Sequence, residues 1–145
     1  MTIHASAVLV GARAVLIRGA AGAGKSSLAF ALISAGEARP FRFARLVGDD
    51  RVHVEVAHGR LLVRPHATLA GLIEVRGLGI RRLPFEPVAA VGLVVDLGAD
   101  SERLPNPEST VTEVAGIVLP RLAVAPGTDS FGFVYAALRT EDSGY

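Results

Sequence analysis

Cysteine is missing from all 145 residues, so disulfide frameworks, thiolate metal sites and thiol nucleophiles are excluded outright. No apolar run approaches the roughly 20 residues that a membrane-spanning helix needs, and the first residues lack the charged start and small-residue cleavage pattern of a secretory signal. A soluble, cytoplasmic protein with no membrane partner is the expectation. Neither charge sign dominates: Lys plus Arg number 15 against 14 Asp plus Glu, too even for a nucleic-acid binder that relies on a broad basic footprint. Lysine itself is nearly absent. Every basic residue but one is arginine, and the exception is Lys25. A chain so biased toward arginine keeps an ammonium at position 25 because a planar guanidinium would not serve there.

What is present suits one compact domain. Half the residues are hydrophobic and they are spread throughout, with no repeat, low-complexity tract or linker to divide the chain. Ala7 to Val10 and Ala14 to Ile17 read as two strands joined at Gly11. Lys25 to Ala35 carries Leu28, Ala29, Leu32 and Ile33 at helical spacing, with Gly36 as a C-terminal stop. Glu37 to Arg45 reads as a connector. Leu46-Val47 leads to Asp49-Asp50, and Val52 to Val56 pairs with Leu61 to Val63 across a His58-Gly59 turn. Ala67 to Ile73 reads as a short helix, Glu74 to Ile80 as a loop, Val88 to Leu97 as a buried strand, Pro105-Asn106-Pro107 as a surface turn and Thr112 to Val124 as a further strand. Thr128 or Asp129 caps a last helix that ends near Arg139. The fold expected is a single α/β P-loop domain over residues 1–145, with a central mixed β-sheet and flanking helices.

Gly19-Ala20-Ala21-Gly22-Ala23-Gly24-Lys25-Ser26 spells G-x-x-x-x-G-K-[ST], preceded by a strand and followed by a helix as that motif requires. Glycines let successive backbone N–H groups turn toward a phosphate, the helix N-terminus adds its dipole, Lys25 reaches the β and γ oxygens, and Ser26 holds Mg²⁺. A ligand-free glycine-rich turn is the bland alternative, and the strand and helix on either side weigh against it. A nucleotide and Mg²⁺ are therefore the expected ligands, with the reaction left open. Two acidic sets compete for the remaining roles. Asp96 ends the run Val94-Val95 as a Walker B aspartate does, whereas Asp49 and Asp50 are adjacent, so that in a strand only one of them faces the phosphates. His53, His58 and His66 sit in or beside the predicted hairpin and read as turn residues.

Several of these segments, in this order, resemble the catalytic domain of HPr kinase/phosphorylase, the bacterial enzyme that phosphorylates a serine of the phosphocarrier protein HPr. The specific elements are Leu46-Val47-Gly48-Asp49-Asp50-Arg51-Val52 and Ile73-Glu74-Val75-Arg76-Gly77-Leu78-Gly79-Ile80, and the likeness runs from His4 to Ile80. It implies a minimal kinase domain in which Asp50 takes the proton from the substrate serine, Asp49 supports it and His4 tunes it. It further implies ATP as the phosphoryl donor, Lys25 neutralising phosphoryl charge, Ser26 and Glu74 holding Mg²⁺, and Arg103 as the catalytic arginine. The partner implied is HPr or a related phosphocarrier, and the assembly a homo-hexamer.

The sequence departs from the family in two places. The connector Glu37 to Arg45 is lengthened, and the P-G-R-N segment is replaced by Pro126-Gly127-Thr128-Asp129, which removes a cation and adds an anion. Phosphorylation is accordingly expected to run more readily than phosphate removal, with Arg121 as the alternative cation. A kinase of a small molecule and a nucleotide-binding regulatory module without turnover remain the competing functions.

Overall fold

The computed structural model describes residues 1–37, 43–99 and 106–140. Its strands are β1 (Thr2–Val10), β2 (Arg13–Arg18), β3 (Ala44–Gly48), β4 (Arg51–Ala57), β5 (Arg60–Pro65), β6 (Leu72–Val75), β7 (Gly79–Arg82), β8 (Ala89–Leu97), β9 (Val111–Val114) and β10 (Ile117–Val124). Two helices, α1 (Lys25–Glu37) and α2 (Ser130–Arg139), complete it with two short 3-10 turns. Eight strands form one mixed sheet in the order β2-β1-β4-β5-β8-β10-β9, with β3 paired to β1 and β2 also paired to β8. β6 and β7 form a separate hairpin. No described helix is long and apolar enough to cross a membrane.

Three strands set the polarity of the site. β8 runs parallel to both β2 and β10, so the carboxyl ends of all three, at Arg18, Leu97 and Val124, open on the same edge. In open α/β sheets this edge is where ligands are held. The central strands read as unbroken apolar runs because both of their faces are covered. On one face Val15, Ile17, Val95 and Leu97 pack with Leu28, Ala29, Leu32 and Ile33 of α1 and Val134 of α2. On the other, Ala14, Leu16, Val91 and Val94 pack with Val52, Val54, Leu61 and Val63 of the β4–β5 hairpin and with Val114 and Leu119. The expected flanking helices thus lie on one face only among the described residues, and strands cover the other.

The strand, loop and helix unit and the β4–β5 hairpin form as the sequence predicts, with His58 and Gly59 at φ 54 and 73 in the two-residue turn. Asp129 caps α2 by accepting from the Gly132 amide at 3.1 Å. Four expectations are corrected. Glu74 to Ile80 is not a loop but most of the β6–β7 hairpin, held because Ile73 is buried in the helix-side core. The helix expected over Ala67 to Ile73 shrinks to one 3-10 turn, Ala67–Leu69, capped by His66, before the chain extends into β6. The strand expected over Thr112 to Val124 is interrupted at Ala115-Gly116, where Ala115 takes φ 51 and the chain folds back as the β9–β10 hairpin. Gly36 does not stop α1 but lies within it, and a Cβ there would stand 2.6 Å from the Ala44 Cβ, so glycine admits the close approach of helix and β3. Residues 38–42 of the connector and 101–105, which include Arg103, lie outside the described residues.

Candidate active site

The loop Gly19–Gly24 leaves the end of β2 and enters α1 at Lys25, with the Leu28 amide closing the first helical turn on the Gly24 carbonyl at 3.0 Å. Gly22 and Gly24 adopt φ 82 and 101, a region that side-chain-bearing residues rarely enter. Lys25 is buried, and its Nζ donates to the carbonyls of Gly19 at 2.8 Å and Ala20 at 3.1 Å. The only lysine of the chain is thus folded back inside the loop that precedes it.

Opposite the loop stands the turn between β3 and β4. The reversal is tight: the Arg51 amide bonds the Asp49 carbonyl at 2.8 Å, and Asp50 takes φ 68. This conformation, rather than strand alternation, sends the two carboxylates apart. Asp49 is buried and accepts from Ser6 Oγ at 2.6 Å, from Ser26 Oγ at 2.7 and 2.8 Å, and from the Glu74 amide at 3.1 Å. Asp50 is exposed, its main chain tied to β1 by the Ala5 amide at 3.2 Å. Of the two, Asp49 meets the loop serine. Ser6 is fully buried on β1 and was not singled out from sequence. Its signal was a hydroxyl inside an otherwise apolar strand, a residue that needs a partner when buried.

Glu74, whose backbone bonds Asp49, leaves its own carboxylate exposed in a cleft of about 130 Å³ lined by Gly22, Gly24, Ser26, Ser27, Glu74 and Arg76. A hydroxyl and two carboxylates, with no sulfur or imidazole, form a set of hard oxygen donors that fits Mg²⁺. Arg76 was also missed as a site residue, though it lies inside the element that carried the family resemblance. His4 sits two residues before Ser6, across from Arg51 on β4, with its ring exposed and not bonded to Asp50. On the other flank of the loop, Gly22 and Ala23 share a cleft of about 290 Å³ with Leu97, Gly98, Pro126 and Thr128. Asp129 is occupied as the α2 cap, which accounts for a carboxylate at that position.

Asp96 does not join this group. Its neighbours Val95 and Leu97 pack toward α1, so alternation turns Asp96 to the opposite face of the sheet. There Arg18 grips it through Nε at 2.7 Å and Nη2 at 2.9 Å, and Arg121 donates to it as well as to the Ser109 carbonyl. Burial pushes the Asp96 carboxyl up, but the hydrogen bonds and charges of Arg18 and Arg121 outweigh it and hold the group below the usual carboxylate range. Arg121 is therefore committed to this triad. The triad joins β2, β8 and β10 directly beneath the loop, since Arg18 is the residue before Gly19. Asp96→Asn is expected to cost about 1–3 kcal/mol at neutral pH, because two guanidinium groups lose their charge partner. The lowered folded-state pKa fixes the sign: the contribution is fully present above the unfolded value of about 3.9 and disappears as pH falls through the folded value. Urea unfolding of both proteins from pH 7 downward checks this, and a gap that does not narrow below pH of about 4 would contradict it.

The chain is similar to known proteins along its first half and in its overall fold. The family model described as the HPr serine kinase C-terminal domain matches residues 1–84. HPr kinase/phosphorylase of Clostridium beijerinckii is 40% identical over 78 residues, 54% of this chain and 24% of that protein. The enzyme of the same name from Clostridium tetani is 38% identical over 82 residues, 57% of this chain and 25% of that one. The chain thus spans about a quarter of the length of the curated relatives it matches. The solved structure of the Hpr(Ser) kinase/phosphatase from Coxiella burnetii superposes with a TM-score of 0.77 at 23% identity, over 96% of this chain and 94% of that one. That likeness is one of fold.

Proposed function

Because this chain belongs to the HPr serine kinase C-terminal domain family, we propose that it transfers the γ-phosphoryl group of ATP to a serine hydroxyl of the phosphocarrier HPr or a related protein. The observation that carries the reading is the contact of Ser26 in the loop with the buried Asp49, which brings Asp50 and Glu74 to the same cleft. Backbone amides of Gly19 to Ser26 and the N-terminus of α1 cradle the β and γ phosphates. Lys25 Nζ exchanges the carbonyls of Gly19 and Ala20 for phosphate oxygens. Ser26, Asp49 and Glu74 hold Mg²⁺, which supplies neutralising charge to the phosphate oxygens when bound.

Asp50 performs the proton work. The serine hydroxyl oxygen bonds to the γ phosphorus, the bond from that phosphorus to the β–γ bridging oxygen breaks, and Asp50 accepts the hydroxyl proton. Asp49 is unsuited to this step because it is buried against Ser26, whereas Asp50 is exposed to an incoming hydroxyl. Incubation with γ-labelled ATP and purified HPr tests the proposal. Label on a serine of HPr supports it, label on a small molecule indicates a metabolite kinase, and nucleotide binding without transfer indicates a regulatory module. Glu74→Gln is expected to raise the Mg²⁺ concentration needed for half-maximal transfer by about tenfold, the loss of one charged ligand. An unchanged metal titration removes Glu74 from the metal shell.

A further inference from the structure

One face of the β6–β7 hairpin carries, beside Glu74, aliphatic groups that the chemistry described above does not use. Its register pairs Leu72 with Arg82 and Glu74 with Ile80, and alternation puts these four side chains on the same face, opposite Ile73. Leu72, Glu74 and Ile80 meet Leu69 and the Asp49-Asp50 turn around a pocket of about 190 Å³. Leu69, Leu72, Ile73 and Ile80 give it an aliphatic lining, bordered by Asp49, Glu74 and Asp50, the residue proposed to receive the proton. The hairpin also leaves large aliphatic groups in water: Leu78 is 67% exposed and Ile80 64%. Arg82 shares the face of Ile80, Arg81 lies on the face of Ile73 and Arg76 stands in the turn; all three are exposed, and none forms an ion pair among the described residues.

We infer that this pocket seats an apolar side chain adjacent to the acceptor serine, and that Arg82, on the same face of the hairpin, meets an acidic group of the same acceptor protein. The inference rests on the kinase reading and deepens it. A cavity of about 150 Å³ accepts one benzene-sized apolar group, so the pocket suits a single Leu, Ile, Met or Phe side chain. Successive residues of an extended strand are only about 3.3 Å apart, so a side chain bordering Asp50 belongs to a residue next to the hydroxyl that Asp50 deprotonates. Charge selects the occupant. The hairpin carries three arginines against one glutamate, which favours an acidic protein and opposes the same hairpin of a second copy. Ile80, Leu69 and Leu72 are in this view specificity residues that read the sequence around the acceptor serine.

The test compares HPr variants carrying Leu, Ala or Asp directly after the acceptor serine, using the full chain with Mg·ATP. The acceptor KM is expected to rise about tenfold from Leu to Ala, the worth of burying one aliphatic side chain, and further with Asp. Values of kcat and of KM for Mg·ATP should stay close to constant. Ile80→Ser, at an exposed position, is expected to flatten the ranking, and Ile80→Leu to keep it. An Ile80→Ser enzyme that still ranks the three acceptors as the wild type does, or a wild type that does not rank them, overturns the inference while the kinase reading stands. Dissociation of an oligomer by Ile80→Ser in sedimentation, with the ranking intact, identifies the patch as a self-contact and also overturns it. Absence of transfer to any of the three acceptors sinks the kinase reading, and this inference with it.

Discussion

Lys25→Arg is expected to lose phosphoryl transfer as completely as Lys25→Ala, by about 10²–10³-fold or more, the usual effect of removing one preorganised donor at a transition-state charge. A positive charge is retained in the first variant, so charge alone does not decide the outcome. Lys25 is buried, and its ammonium fits between two carbonyls at 2.8 and 3.1 Å. A guanidinium is planar and broader, presenting donors in a fixed fork where the loop offers a pocket for a point charge. It cannot enter without opening Gly19–Ala20. Transfer assays, paired with thermal melts to show that both variants remain folded, check the prediction. An arginine variant with most of its activity would mean that the solitary lysine is an accident of composition.

The adjacent carboxylates should separate into two distinct defects. Asp50→Asn is expected to lower kcat by about 10²–10⁴-fold, the usual worth of a positioned general base, with Mg·ATP binding and stability unchanged. Asparagine is well suited to this test because it tolerates the left-handed backbone that Asp50 adopts at φ 68, whereas alanine would add strain. Asp49→Asn should behave differently. The Asp49 carboxylate receives Ser6, Ser26 and the Glu74 amide, and an amide replaces one acceptor oxygen with a donor that faces donors. A stability loss of about 1–3 kcal/mol follows from the unsatisfied groups. With it should come a raised Mg²⁺ requirement. Equilibrium unfolding, metal titration and kcat on both variants distinguish the two; matching profiles would show that the carboxylates share one role.

Local signals explain what the sequence disclosed and what it withheld. The strand, loop and helix around Lys25, the His58-Gly59 turn and the Asp129 cap each depend on a few neighbouring residues, and each was legible. The β6–β7 hairpin was not, because the alternation of Ile73-Glu74-Val75-Arg76 is only four residues long, and the packing of Ile73 and Val75 against the helix-side core that fixes it is long-range. Asp96 looked like a Walker aspartate because its partners Arg18 and Arg121 are 78 and 25 residues away. The choice between Asp49 and Asp50 turned on a positive φ that no residue pattern announced. Ser6 stayed hidden for the same reason as Asp96, since its meaning lies in a carboxylate 43 residues on.

The three donors to Asp49 come from β1, from the first turn of α1 and from β6, at separations of 43, 23 and 25 residues. Such contacts are reached only after the loops between them have closed, at an entropic cost that grows with their length. The loop between β2 and α1, by contrast, is assembled from neighbours within that unit. In the proposed kinase, the contacts that shape the loop therefore carry a smaller loop-closure cost than those that gather the carboxylates. A chain folded only through that unit would hold the loop and lack the carboxylates proposed to work with it.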